Sequence, residues 1–193
     1  MRRLLMTAAI VLAAALPAHA ALKSGAAAPD FEAEASLAGK QFDFSLAEAR
    51  RSGPVVVYFY PSAYTGGCNV QAHSFAEEAD NFKAAGATII GVSQDSIERL
   101  NDFSADPEYC AGKFPVASDP DGAIARSYDL KVMSKAGMKD TRGAAIDHAF
   151  TERTTFVVGR DGKVAAVLSS ADDKLGPGDH AARALEIVKG LKP

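Results

Sequence analysis

"VVVYFYPSAYTGGCNVQAHSF", Val55 to Phe75, decides how this chain is read. Seven apolar or aromatic residues, Val55 to Pro61, come first, and "PVVVYFY" (Pro54 to Tyr60) suits a central strand covered on both faces. Small and turn-forming residues follow. A helical segment then runs from about Gly66 to Ala85, with Cys68, Ala72, Phe75, Ala79 and Phe82 stepping by four and three along one face. Cys68 therefore falls in the first turn of a helix that opens straight out of a buried strand. Thr65 is placed to cap that helix. Free backbone N–H groups and the helix dipole at such a position favour negative charge, and the thiolate is the reactive form of cysteine. Gly66 and Gly67 leave room for a small substrate. Three readings stand on position alone: a packed core cysteine beside Phe75 and Phe82, one half of a disulfide, or a nucleophile.

The rest of the chain supplies alternating elements. "FDFSL" (Phe42 to Leu46) alternates as a half-buried strand, "ATIIGVS" (Ala87 to Ser93) is a buried strand, and "SIERLNDFS" after it is helical. "KFPVASD" reads as a short strand and "PDGAIARSYDL" turns into a helix. "TTFVVGRDGKVAAVLS" is a hairpin turning at Arg160 to Gly162, and "DHAARALEIVKGL" is a closing helix with Asp179 as cap and Gly190 near its end. Lys131 to Glu152 has no clear period and is expected to be a long loop with a short helical turn. The order specifies one α/β domain with a mixed central sheet flanked by helices.

Residues 1–20 have the layout of a secretory signal peptide: Arg2 and Arg3, an apolar run from Leu4 to Leu16 too short to span a bilayer comfortably, and small residues at Ala18 to Ala20. The expected domains are thus a signal at 1–20 and a single folded domain at 21–193, exported to the periplasm or secreted. No other segment is apolar enough for a membrane. Loss of the two signal arginines takes the formal charge from −3 to −5, and without a basic cluster no nucleic-acid partner is expected. Both cysteines, Cys68 and Cys110, lie after the signal, where a disulfide is chemically permitted. No C-x-x-C occurs, and the histidines are not spaced for a metal, so neither metal nor cofactor is expected.

The spacing Pro61-x-x-x-Thr65-x-x-Cys68 resembles the active-site signature of the peroxiredoxins, thiol peroxidases of thioredoxin-like fold. "AAAPDFEA" (26–33), "GVSQDS" (91–96), "FPVASDPDGAIARSYDL" (114–130) and "ERTTFVVGRDGKV" (152–164) resemble further family segments in the same order. The resemblance runs from about Ser24 to the C-terminus and is nearest to the bacterioferritin-comigratory, or Q-type, branch. It implies that Cys68 is the peroxidatic cysteine, that Thr65 hydrogen-bonds the peroxide, that Pro61 shields the thiolate and that Arg153 is the catalytic arginine. A fixed guanidinium near sulfur would stabilise the thiolate and hold the peroxide oxygens; the plain alternative is a surface arginine at a strand start. Arg160, close to the hairpin glycine, reads as solvated.

The reaction implied is reduction of hydrogen peroxide and organic hydroperoxides, with Cys68 becoming a sulfenic acid. The partners implied are the hydroperoxide and a thiol reductant, either a thioredoxin-like protein or a small thiol, for a monomer or weak homodimer. The sequence departs from the branch in its second cysteine. His73 occupies a position where many members carry the resolving cysteine, and another usual place is nearer Ser104. Cys110, expected near the end of the helix after "VSQDS", is the candidate resolving thiol; a static disulfide to Cys68 or a bystander role are the alternatives. For the two to meet, the helix start around Cys68 is expected to unwind. His73 is expected on a side face, His148 near the entrance, His180 close to a helix start, and Tyr64 and Phe150 at the pocket rim. Two other functions compete with the peroxidase: a disulfide-stapled binding domain, and a thiol-disulfide oxidoreductase. The latter is disfavoured by Thr65 standing where such enzymes need a cysteine.

Overall fold

A computed structural model describes residues 21–191; the expected signal peptide lies outside the described residues. The elements are β1 (Glu32–Leu37), β2 (Lys40–Ser45), α1 (Leu46–Ser52), β3 (Val55–Phe59), α2 (Gly66–Ala84), β4 (Thr88–Ser93), α3 (Ile97–Ala105), β5 (Val116–Ser118), α4 (Ala123–Ser127), β6 (Val132–Met133), β7 (Phe150–Thr151), β8 (Thr154–Val158), β9 (Val164–Ser169) and α5 (Asp179–Gly190). Seven strands form one sheet in the order β2-β1-β5-β4-β3-β8-β9. β3, β4 and β5 run parallel, while β1 and β8 join that block antiparallel. This is the expected mixed sheet flanked by helices.

β3 occupies the middle, and its alternation divides the core. Val56, Tyr58 and Tyr60 pack on one face with residues of α2, α3 and α5; Val55, Val57 and Phe59 pack on the other with Leu46 of α1 and Ala125 of α4. All five residues of β3 are buried, which is why the strand reads as continuously apolar rather than alternating. The expected stripe of α2 is the buried one, from Cys68 to Phe82, and Gln71 joins it. Each fully buried phenylalanine on that stripe contributes about 1.5–3 kcal/mol of transfer free energy. Phe75 stacks on Tyr58 with ring centroids 4.4 Å apart. Gly91 of β4 lies under the same tyrosine: a Cβ there would come within 2.6 Å of the Tyr58 ring, so only glycine lets β4 approach.

Several expectations need correction. α1 begins at Leu46, where strand was expected to continue, because Ser45 ends the strand and accepts a hydrogen bond from the Glu48 N–H at 3.5 Å. β1 carries acids at exposed positions and pairs β2 and β5, a role its own pattern did not announce. Between residues 131 and 152 there is no helical turn; β6 and β7 pair there as two-residue strands, too short to carry a period. Gly178, not Asp179, is the N-cap of α5; the Asp179 carboxylate instead accepts from the Gly176 N–H at 3.2 Å. Gly190 is the last residue of that helix, as expected.

Candidate active site

Chain leaving the buried end of β3 has to turn before α2 can pack back on the sheet, and that turn builds the site. Pro61 is half-buried at the strand exit, Ser62 to Tyr64 are buried, and Cys68 is the third residue of α2, only 1% exposed. Thr65 occupies the N-cap with extended backbone, yet its side chain does not cap the helix. Its hydroxyl donates to the Ser62 carbonyl at 2.8 Å, which spends the proton and leaves lone pairs to accept.

Arg153 reaches this turn through the sheet register. β8 pairs β3 antiparallel with Thr154 opposite Phe59, so the preceding residue comes off the sheet beside the point where the chain leaves β3. Its Nη2 donates to Cys68 Sγ at 3.3 Å. Its Nη1 donates to the Gln71 side-chain oxygen, which fixes the plane of the guanidinium. Gly67 makes the approach possible: a Cβ there would lie 3.1 Å from Arg153 Nη2 and 3.3 Å from Pro177 Cγ. Gln71 was not singled out in the sequence. Its signal was a polar residue three positions after Cys68 on an otherwise apolar stripe, where a buried amide needs a partner.

Both cysteines are free and buried, and both belong to the core cluster on the α2 side of the sheet. Cys110 does not lie on α3, which ends at Ala105. It sits in the following turn, held by hydrogen bonds from the Ala111 N–H to Asp106 O and from the Gly112 N–H to Ser104 O, both 2.8 Å. Burial pushes the Cys110 thiol well up, and the nearby Asp106 charge pushes it the same way. Ser104 is buried on α3, where its hydroxyl pairs with Ser36 and accepts from the Gly39 N–H. His73 is exposed on α2, and its Nδ1 lies 3.0 Å from Glu108 O, tying α2 to the turn that carries Cys110.

The other expected rim residues are interior. Tyr64 and Phe150 are 2% and 6% exposed, and the Arg142 guanidinium covers the Tyr64 ring at 3.2 Å. Burial, tempered by that cation, pushes the Tyr64 phenol up to about 12. His148 is turned inward to Asp95, a residue the sequence reading passed over. His180 is buried between Thr155 Oγ1 and Ser170 Oγ, each 2.9 Å from a ring nitrogen. Arg160 lies on the hairpin surface and donates to Arg51 O at 3.0 Å. Among the described residues no group of three or more His, Cys, Asp or Glu is placed to hold a metal. No helix among them is long and apolar enough to cross a membrane.

Comparison with known proteins shows the family and the fold. The model of the AhpC/TSA family matches residues 24–167. Peroxiredoxin Bcp of Escherichia coli is 33% identical over 143 residues, covering 74% of this chain and 83% of that protein. A putative peroxiredoxin of Mycobacterium tuberculosis is 38% identical over 120 residues, covering 62% of this chain and 69% of its own. Among solved structures, peroxidoxin BcpB of M. tuberculosis superposes with a TM-score of 0.73 at 27% identity, covering 89% of this chain and 99% of that one. Peroxiredoxin Q of Xanthomonas campestris superposes with a TM-score of 0.63 at 30% identity, covering 81% of this chain and 89% of that one. The fold they share is thioredoxin-like, and the branch is the Bcp or Q-type one.

Proposed function

The chain belongs to the AhpC/TSA family of peroxiredoxins, thiol-dependent peroxidases, and from that premise we propose that Cys68 is its peroxidatic cysteine. The observation that carries the assignment is the Arg153 hydrogen bond to the Cys68 sulfur at 3.3 Å. A guanidinium fixed at that distance can hold a peroxide oxygen beside the sulfur. The sulfur attacks the terminal peroxide oxygen, the O–O bond breaks, hydroxyl is transferred to give the sulfenic acid, and the alkoxide or hydroxide leaves to take a proton as alcohol or water. Arg153 donates to the oxygen that gains negative charge. Thr65, with its own proton committed to Ser62, accepts from the peroxide O–H. Pro61 shields the strand side of the sulfur.

Cys110 then attacks the sulfenic acid as the resolving thiol, forming the Cys68–Cys110 disulfide and releasing water, and an external dithiol reduces it. Residues 1–20 act as an export signal, so the reductant is a thioredoxin-like protein or small thiol of the same compartment, and the mature domain works as a monomer or weak homodimer. The free state of both cysteines in the folded domain supports this cycle over a static staple.

One equivalent of hydrogen peroxide added to the reduced protein tests the assignment. The Cys68 thiol should disappear rapidly, and Cys68→Ser should abolish the loss. Slow, cysteine-independent consumption of peroxide would sink it, and insulin reduction would favour the oxidoreductase reading.

A further inference from the structure

Beyond the sulfur's own contacts, the densest buried polar cluster gathers on Asp95, at the β4–α3 junction. Its carboxylate is fully buried. Oδ1 accepts from Ser62 Oγ at 2.8 Å and His148 Nε2 at 2.9 Å; Oδ2 accepts from the Ala63 N–H and Ser93 Oγ, both at 2.7 Å. Arg99 Nε lies 2.8 Å from Oδ1, and Arg99 Nη2 donates to Ala63 O at 2.9 Å and Asp140 Oδ2 at 2.8 Å.

Ser62 and Ala63 belong to the turn that leads into Thr65 and Cys68. The next residue, Tyr64, has φ 60°, a left-handed conformation that a bulky residue adopts only when its surroundings impose it. Its carbonyl accepts from the Thr141 N–H at 2.8 Å and Thr141 Oγ1 at 2.9 Å. The turn is thus held from one side by Asp95 and from the other by the segment 140–148.

His148 joins the two sides. Its Nδ1 lies 2.8 Å from Ala149 O, and its Nε2 lies against Asp95 Oδ1. Ala149 O and Asp95 Oδ1 are pure acceptors, and Ser62 Oγ, 3.3 Å from Nε2, gives its proton to Asp95, so both ring nitrogens have to donate, which only the imidazolium does. Burial opposes that charge, but the hydrogen bond and charge of Asp95 outweigh it and raise the His148 pKa above its ordinary value. Burial likewise opposes the Asp95 charge, and the His148, Ala63 and Ser93 hydrogen bonds hold its pKa below the ordinary value. The other charges facing the pair are Arg99 of α3, Asp140 and Arg142 behind Arg99, and Lys135 across the Phe150 ring.

We infer that Asp95 and His148 are positioning residues for peroxide reduction, an ion pair of a buried carboxylate and a partly buried imidazolium that holds the Ser62–Thr65 turn so that the Thr65 hydroxyl and the Cys68 sulfur meet the peroxide together. The inference rests on the proposed roles of Cys68 and Thr65. Loss of the His148 proton as pH rises through its raised pKa leaves a ring lone pair facing an acceptor and loosens the turn. Reaction with peroxide, which needs that alignment, then slows more than reaction with an alkylating agent, which needs only the thiolate.

The experiment measures, at the Cys68 peptide, the rate constants of the reduced full chain with hydrogen peroxide and with iodoacetamide from about pH 6 to about pH 9. Their ratio cancels the thiolate fraction. In the wild type the ratio should fall about tenfold through one protonic step lying above the ordinary histidine value. In His148→Gln it should be low and flat, and in Asp95→Asn also low. A His148→Gln ratio equal to wild type at every pH, or a step that survives in it, overturns the proposal. Failure of wild-type Cys68 to react with peroxide at all overturns the underlying assignment instead. Where Asp95→Asn fails to fold, judged by far-UV circular dichroism, His148→Gln decides.

Discussion

A sulfur 1% exposed on the first turn of a helix can react with a peroxide only where fixed donors hold the oxygens beside it. Arg153 can serve because its fork has two working ends, one on Gln71 and one on Cys68. A lysine ammonium gathers its three donors on one nitrogen at the end of a flexible stem and lacks the rigid fork that spans both partners. Arg153→Lys should therefore lower the second-order rate constant with hydrogen peroxide by about 10²-fold, the scale of losing one preorganised donor. A competition assay against a peroxidase of known rate checks this, and an unchanged constant would remove Arg153 from the mechanism. Gly67→Ala tests the same contact sterically. Its methyl would press on Arg153 Nη2 at 3.1 Å and Pro177 at 3.3 Å, so the rate should drop about tenfold while the far-UV spectrum is retained. A wild-type rate in that variant would mean the guanidinium has room to give.

At the scale of elements, the open question is how two buried thiols come to bond. A disulfide needs Cα atoms within about 7 Å and a specific dihedral, so internal resolution of Cys68 requires the α2 first turn and the Cys110 turn to present their backbones at that separation. The second turn is built to stay closed, with Ala111 and Gly112 both at positive φ and the His73 ring bridging to Glu108 O. In the reduced protein Cys110 is buried and its thiol is pushed up, so it should react with iodoacetamide much more slowly than Cys68. After peroxide, mass spectrometry without added thiol should find the Cys68–Cys110 disulfide; in Cys110→Ser the sulfenic or sulfinic acid of Cys68 should accumulate. Accumulation of those acids in the wild type as well would show that an external thiol does the resolving.

For the molecule as a whole, two histidines, one buried and one partly buried, set opposite pH limits. His180 lies between two hydroxyls, each able to donate or accept, so the neutral ring is satisfied. Burial, with the Arg153 charge adding to it, lowers its pKa from 6.5 to about 4. The unfolded chain thus binds a proton that the folded one refuses, and stability falls as pH drops from about 6.5 to about 4, by up to about 3 kcal/mol. Urea midpoints across that window should show the slope in the wild type and lose it in His180→Asn; a slope that persists would assign it elsewhere. His148 acts in the other direction. Its raised pKa means that its stabilising contribution is complete below the ordinary histidine value and is lost as pH rises through the raised one.

The sequence by itself determined whatever depends on neighbours a few residues away. Continuous apolarity from Val55 announced a strand covered on both faces, steps of three and four announced the buried stripe of α2, and the short turn between them put Cys68 at a helix start. Motif spacing added the resemblance that named Arg153. Local pattern was silent about β1 as a bridge between β2 and β5, and about two-residue strands between 131 and 152, because their partners are distant or their length carries no period. Tertiary structure alone decided the contacts of the site. Arg153 meets a sulfur 85 residues away because β8 pairs β3 in one register; Gln71 orients it; Asp95 and His148, 53 residues apart, grip the turn between them. The physical reason is that periodicity reports which face of an element is buried, while sheet register and loop packing choose which polar groups share that burial and so have to satisfy one another.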